Sequence, residues 1–539
     1  MNAIAPSPTS IVDWIAQFWS THLFGGPDRG ADQAPRWSSL VLLVLLPGVM
    51  LYPCLVFPLF EPDESRYAQI PREMIERGDW ILPTLQGLPY LDKPPLFYWS
   101  VALVYQVFGY HDWAARLVPA VAIHAALLLT YLLGRRTLGE RAALLAGVLL
   151  ALAPGFLGMG RLLLLDGLLT LMVTLALLAA FEAIRGEQFR WGWWLLAAVA
   201  TGLGVLTKGP VALVLLLPPL WLYRRLASGG VRAHLGAWAL FLAVVLALAL
   251  PWYLLLIQRV PGFLNYFFWE HNLKRFLTPE MHPRGVWFYF PILWLLLLPG
   301  TLLLVPLVRH LCSLAPMTAE KRPPALGFHL LAGGWCVFFF TLSSGKLPTY
   351  IMPALPFFAL VIGSFLIETG RENSRAVRSL GLAALGLMLF ANYVALPWYA
   401  RYRSPMSRPE DVLALCADRS LPVVCYPRNC DSIAFYLGRS DLRSYRSKDI
   451  EELRTLVRMQ PRTVILCTHR HSLQGLKQLL PPEVRIVQER RMGLGDIPGV
   501  PPALMKPLAR LMGETALGLA DLAVIEMKHP EQLTQRPRP

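Results

Sequence analysis

The sequence predicts a polytopic α-helical membrane protein that ends in a small soluble α/β domain, and three observations carry that prediction. Of its 539 residues, 55% are hydrophobic and only 16% are charged, whereas soluble chains usually carry about 25% charged residues. Several stretches reach or approach the roughly 20 apolar residues that a spanning helix needs. Ser39–Phe60, His234–Ile257, Trp287–Leu307 and Leu380–Trp398 are the clearest. Beyond Trp398 the long apolar runs stop and strand and helix patterns alternate.

Taken in order, residues 1–36 read as a cytoplasmic or interfacial segment. They lack the basic start and apolar core of a secretory signal peptide. Ile11–Phe24 has apolar and aromatic residues at helical spacing, which suits a helix lying along a membrane surface. Residues 37–399 read as the transmembrane domain, with a long first loop over 61–94. Arginine clusters punctuate the spans: Arg135, Arg136 and Arg141; Arg185 and Arg190; Arg224, Arg225 and Arg232; Arg309, Lys321 and Arg322; and Arg371, Arg375 and Arg378. The positive-inside rule places them in the cytoplasm. The alternate loops, 161–166, 207–210, 260–286 and 343–349, then share the opposite face, joined by 61–94 if Arg29 and Arg36 hold the N-terminus inside. Leu96–Gly109 is a short span, tilted or re-entrant. The expected count is odd, eleven to thirteen, with the C-terminus outside.

Residues 400–539 alternate strands with helices, the pattern of a small α/β domain. Pro422–Tyr426, Thr463–Cys467, Val484–Gln488 and Ala520–Met527 read as strands, with helices over Lys448–Met459 and Ser472–Leu480. No glycine-rich phosphate loop or metal-ligand cluster stands out there, so the domain reads as accessory or acceptor-docking. Cys416, Cys425, Cys430 and Cys467 fall in it. They pair as disulfides in an oxidising compartment, or remain buried thiols. With no CxxC among the seven cysteines, a zinc ribbon is not indicated. The formal charge of +15 is largely spent on short clusters between apolar runs. That argues for anionic lipid or phosphate partners rather than nucleic acid.

The residues that carry chemistry gather on the non-cytoplasmic side. The first loop opens with Pro62-Asp63-Glu64-Ser65-Arg66-Tyr67 and closes with Tyr90-Leu91-Asp92-Lys93-Pro94-Pro95. Adjacent acids at a membrane boundary suit catalysis, although solvated loop acids are common, and Lys93 alone could be a snorkelling lysine. Asp166 and Lys208 each interrupt an apolar run. A charge at membrane depth costs about 2.5–3.5 kcal/mol, so each needs a partner or a polar cavity; a structural ion pair between helices is the plainer alternative. Glu270-His271 and Arg275 lie in one loop, His282 in another turn of it, and Lys346 and Tyr350 at a further span boundary. Lys93, Lys208, Arg275 and Lys346 on one inferred face favour a phosphate site.

The two first-loop motifs, with Lys346-Leu347-Pro348-Thr349-Tyr350, resemble the polyprenyl-phosphate-sugar-dependent membrane glycosyltransferases of GT-C fold, which include the protein O-mannosyltransferases. With the soluble tail added, the pattern is most similar to the bacterial undecaprenyl phosphate-aminoarabinose:lipid A aminoarabinosyltransferases. Asp92 stands where many related chains carry Glu. The resemblance implies an enzyme of the bacterial inner membrane with its active site and C-terminal domain in the periplasm. It would move a sugar from undecaprenyl phosphate to a lipid A phosphate, with inversion, as a monomer among membrane lipids, and protect against polymyxin. It also implies roles: Asp63 as the principal catalytic acid, Lys93 and Arg275 on the donor phosphate, and Asp166, Lys208, Lys346 and Tyr350 lining the cavity. Glu64, Tyr67 and Tyr90 complete the substrate-binding set. No cofactor is required; a divalent metal remains open, with His271, His282 and Asp92 as candidate ligands. The alternatives are another sugar carried to protein or an envelope glycan, and a lipid-linked sugar transporter.

Overall fold

In a computed structural model, the structure describes residues 35–226, 230–278, 283–315, 322–323, 325–403, 409–416, 418–467, 472–491 and 521–527. Ile11–Phe24, His282 and Lys321 lie outside the described residues. Contacts divide the chain into two units. One comprises the chain up to Leu55, Leu91–Ser100 and Arg116–Asn392; the other comprises Val56–Tyr90, Val101–Ala115 and the chain from Tyr393 onward.

The first unit is a helical bundle. Its helices are α1 (Trp37–Leu51), the Leu96–Ser100 end of α3 (Leu96–Phe108) and most of α4 (Asp112–Leu138), then α5 (Glu140–Leu152), α6 (Leu165–Ile184), α7 (Trp191–Lys208), α8 (Val211–Leu226) and α9 (Leu235–Arg259). After them come α10 (Tyr289–Leu296), α11 (Leu304–Cys312), α12 (Leu326–Leu342), α13 (Leu355–Glu368) and α14 (Arg375–Phe390). Among the described residues, six helical stretches are long and apolar enough to cross a membrane, and Val286–Leu296 with Gly300–Cys312, bent by 104°, makes up to seven. Two shorter apolar helices, Leu96–Phe108 and Leu326–Leu342, accompany them, so by length and composition the described residues supply fewer spans than the eleven to thirteen expected. The helix predicted to be short, α3 (Leu96–Phe108), has 13 residues, about 20 Å of rise against a hydrocarbon core of about 30 Å.

Close packing in the bundle follows from small and aromatic residues. A Cβ on Gly363 would lie 2.2 Å from the Ala142 carbonyl oxygen, so only glycine lets α13 meet the α5 backbone. Phe181 of α6 stacks on Phe328 of α12 with centroids 4.2 Å apart. Part of the basic clustering is consumed internally: Arg136, Arg185 and Arg190 converge on the buried Glu182 at 3.2, 2.7 and 3.3 Å. Three guanidiniums around one carboxylate tie α4 and the α6–α7 connection together.

The second unit holds α2 (Asp63–Arg77), the hairpin β1 (Thr84–Leu85) and β2 (Leu88–Pro89), and the C-terminal α/β fold. Glu73 anchors the hairpin, accepting bonds from the Thr84 hydroxyl at 2.8 Å and from the Gln86 and Gly87 amides at 2.8 and 3.2 Å. The C-terminal sheet comprises β3 (Val423–Tyr426), β4 (Arg443–Ser444), β5 (Arg462–Cys467), β6 (Val484–Arg491) and β7 (Asp521–Met527), in the order β4-β3-β5-β7-β6. β3 runs parallel to β4 and β5, and β7 antiparallel to β5 and β6. Its helices include Asp431–Leu437, Ile450–Met459 and Ser472–Leu479. The four tail cysteines are buried, and no disulfide joins them to one another among the described residues. Strand alternation puts Cys425 in one core layer with Cys416 and Cys430, and Cys467 in the layer on the other face of the sheet. Arg72 and Gln69 of α2 donate to the carbonyls of Phe435 (2.7 Å) and Arg439 (3.0 Å), while Glu61 accepts the Ser432 amide at 2.6 Å. The first-loop helix is thereby bound to the α/β fold within this unit.

Candidate active site

A cavity of about 450 Å³ in the first unit is lined by Asp92, Lys93, Lys208, His271, Arg275 and Tyr350, with apolar walls from Val211, Phe268 and Phe340. Local structure explains each polar group. Asp166 lies in the first turn of α6 and Lys208 ends α7, where an anion and a cation respectively suit the helix dipole. The two helices pack side by side, so the pair closes at one end of the bundle, with Lys208 Nζ 2.6 Å from Asp166 Oδ1. Gly209, at φ +81°, turns the chain immediately after Lys208. The same ammonium stands 4.3 Å over the Tyr350 ring, a cation–π contact.

His271 and Arg275 lie four residues apart on helical turns and face each other. The Arg275 guanidinium is 3.2 and 3.3 Å from the two ring nitrogens. Lys93 Nζ lies 2.7 Å from Nε2 of the same ring. Asp92 Oδ1 stands 3.5 Å from Nδ1 and accepts the Tyr266 hydroxyl at 2.5 Å. Burial and the Lys93 ammonium push His271 down to about 3, so the ring is neutral at physiological pH. Burial lowers Lys93 to about 7, with Lys208 and Arg275 acting in the same direction and Asp92 against it. Burial opposes the Asp92 carboxylate, but His271, Lys93 and the Tyr266 hydroxyl outweigh it and hold it below its ordinary range. Three cations against two carboxylates, Asp92 and Asp166, leave the set anion-seeking when all are charged.

The structure thus brings together Lys93, Lys208, Arg275, Asp166, Tyr350, Asp92 and His271. Lys346 does not line this cavity. It is buried, and its ammonium donates to the Arg284 carbonyl at 3.1 Å and to that of Ser343, holding a loop in shape. Asp63, Glu64, Tyr67 and Tyr90 belong to the second unit. Asp63 sits in the first turn of α2, its side chain half exposed and 3.7 Å from Arg66. Glu64 is buried and accepts the Phe60 amide at 3.0 Å, a helix-start contact. Tyr67 is buried, and the Tyr90 hydroxyl accepts from Arg66 at 3.4 Å. Tyr266, the hydroxyl on Asp92, carries no charge or motif, and its only sequence signal is membership of an aromatic run. Among the described residues no group of three or more His, Cys, Asp or Glu could hold a metal ion. Asp92 and His271 meet, but the Lys93 ammonium and the Arg275 guanidinium already occupy the ring nitrogens that would face a metal ion.

The Asp166–Lys208 pair gives a test of structure against chemistry. Asp166→Ala is expected to destabilise the protein by about 3–5 kcal/mol, because it strands the largely covered Lys208 ammonium. Asp166→Leu with Lys208→Met should restore thermal stability in detergent without restoring activity. Recovery of both would reduce the pair to a structural ion pair.

A family profile described as dolichyl-phosphate-mannose-protein mannosyltransferase matches residues 37–267. An undecaprenyl phosphate-α-4-amino-4-deoxy-L-arabinose arabinosyl transferase of Pseudomonas paraeruginosa (strain DSM 24068 / PA7) is 36% identical over 390 residues, covering 70% of this chain and 68% of that one. A similarly named transferase of Pseudomonas fluorescens (strain Pf0-1) is 36% identical over 348 residues; there the alignment covers 62% of this chain and 58% of the relative's length. Among solved structures, ArnT from Cupriavidus metallidurans bound to undecaprenyl phosphate matches with a TM-score of 0.70 at 20% identity, over 90% of this chain and 97% of that one. Its apo form matches with a TM-score of 0.69 at 22% identity, over 83% and 96%.

Proposed function

The chain belongs to the undecaprenyl phosphate-aminoarabinose arabinosyl transferase family of GT-C membrane glycosyltransferases, and from that premise we propose that it transfers 4-amino-4-deoxy-L-arabinose from undecaprenyl phosphate to lipid A phosphate. The observation that carries the reading is the convergence of Lys93, Lys208 and Arg275 on one cavity. In such a transfer the bond from the anomeric carbon to the donor phosphate oxygen breaks, and a lipid A phosphate oxygen forms the new bond from the opposite face. Charge builds on the departing phosphate, and preplaced cations in a desolvated cavity stabilise it. No strong proton donor is needed. Asp63 orients the acceptor phosphate or takes its remaining proton.

The reaction takes place at the periplasmic face of the inner membrane, the face opposite the arginine clusters. A cationic sugar on lipid A masks phosphate charge and so weakens binding of polymyxin and other cationic peptides. The transporter alternative has less support, because Lys208 and Asp166 sit at helix ends rather than near the bilayer midplane.

The test is mass spectrometry of lipid A from a susceptible host that makes the donor but lacks its own transferase. Expression is expected to add the mass of aminoarabinose. Unchanged lipid A despite verified membrane expression would overturn the acceptor assignment and direct the search to protein or another envelope glycan.

A further inference from the structure

A second cavity, of about 240 Å³, lies in the first unit at the other end of the bundle from the active-site cavity. The stretch Pro348–Glu368 marks the two ends: Tyr350 near its start lines the active-site cavity, and Ile362 and Leu366 near its finish line the second. The second cavity opens where α10 and α11 bend by 104°, beside Pro299 and Gly300. Its walls are almost wholly aliphatic, from α1, α5, α13 and α14. Its polar groups, Arg141, Glu372, Asn373 and Arg378, come from the start of α5, the turn before α14 and the first residues of α14. Lining residues on α5 run from Arg141 to Leu152, about 16 Å along a helix axis. That is about half of a hydrocarbon core of about 30 Å, the depth of one leaflet.

We propose that this groove binds one anionic glycerophospholipid from the leaflet opposite the transfer site. An acyl chain lies along the aliphatic wall, and the phosphodiester sits between Arg141 and Arg378. Two guanidiniums against one carboxylate leave a positive mouth, and the exposed Arg371 and Arg375 on the same connection add to it. Basic pockets between spanning helices on the cytoplasmic side suit anionic headgroups. Glu372 supplies the complementary acceptor. Its Oε1 takes the Asn373 amide at 3.1 Å, while its buried Oε2 makes no hydrogen bond among the described residues. A glycerol headgroup brings a hydroxyl donor to that oxygen. Arg378 is already oriented by Asn373 Oδ1 at 3.0 Å and the Glu372 carbonyl at 3.3 Å. The assignment to the cytoplasmic leaflet rests on the orientation proposed above; the binding itself does not.

The experiment is native mass spectrometry of the full chain released from nanodiscs of mixed phosphatidylethanolamine and phosphatidylglycerol. One phosphatidylglycerol per chain is expected to remain bound. Arg378→Gln should lower its retention about fivefold, the worth of one basic group near a headgroup. Gly381→Phe should remove it, because Gly381 lines the groove with nothing within 4 Å of its Cβ position. Both variants should bind undecaprenyl phosphate like the wild type, which reports intact folding. No retained lipid, equal retention of both lipids, or wild-type retention by Gly381→Phe would overturn the proposal. Because the readout is bound lipid, a failed sugar-transfer assay leaves this result standing, and the converse holds.

Discussion

With Lys93 replaced by methionine, sugar transfer is expected to fall about 100- to 1,000-fold, the usual loss when one preplaced donor to a developing anion is removed. Lys93 holds its ammonium 2.7 Å from a neutral His271, in a cavity that also contains Lys208 and Arg275. Methionine keeps most of the stem and loses the charge, so the protein should fold while the leaving phosphate loses its stabilisation. The same residue predicts a pH dependence. Burial in the cavity lowers Lys93 to about 7; below that pH it is charged and above it neutral. A bound phosphate favours the charged form, so binding above pH 7 takes up a proton. Donor affinity should therefore weaken as pH rises through 7 and beyond. Calorimetry with undecaprenyl phosphate from pH 6 to 9 measures this directly. Lys93→Arg should flatten the profile, since arginine stays protonated throughout. A profile in the wild type as flat as in Lys93→Arg would remove Lys93 from the phosphate site.

Asp63→Asn is expected to lower kcat by about 100-fold, within the range for loss of a general base, with little change in donor KM. The amide preserves size but cannot take a proton. Glu64→Gln is the internal control: its carboxylate is buried against the Phe60 amide, so its loss should lower thermal stability more than turnover. Side-by-side turnover and unfolding measurements on the two variants separate the roles. Near-full activity in Asp63→Asn would leave Asp63 with no essential part in the reaction.

Individual residues show why some roles were readable and others were not. Asp166 and Lys208 stood out because each breaks an apolar run, and a lone charge there needs a partner; that they partner each other depends on α6 and α7 packing side by side. Lys346 carried the same sequence signal as Lys93, yet its ammonium is taken up by the carbonyls of Arg284 and Ser343. Nothing local separates those two lysines. Glu73, with no motif around it, organises the first-loop hairpin through contacts 11 to 14 residues away.

By itself, the sequence determined the apolar helical class, the alternating strands and helices of the C-terminal region and the transferase family. These follow from segment length, composition and short motifs, which are properties of neighbouring residues. The tertiary structure decided which charges meet. Lys208 finds Asp166 across 42 residues, and Lys93 finds His271 across 178. Such pairings are set by how helices pack, and each burial that removes water makes one partner matter more than any other.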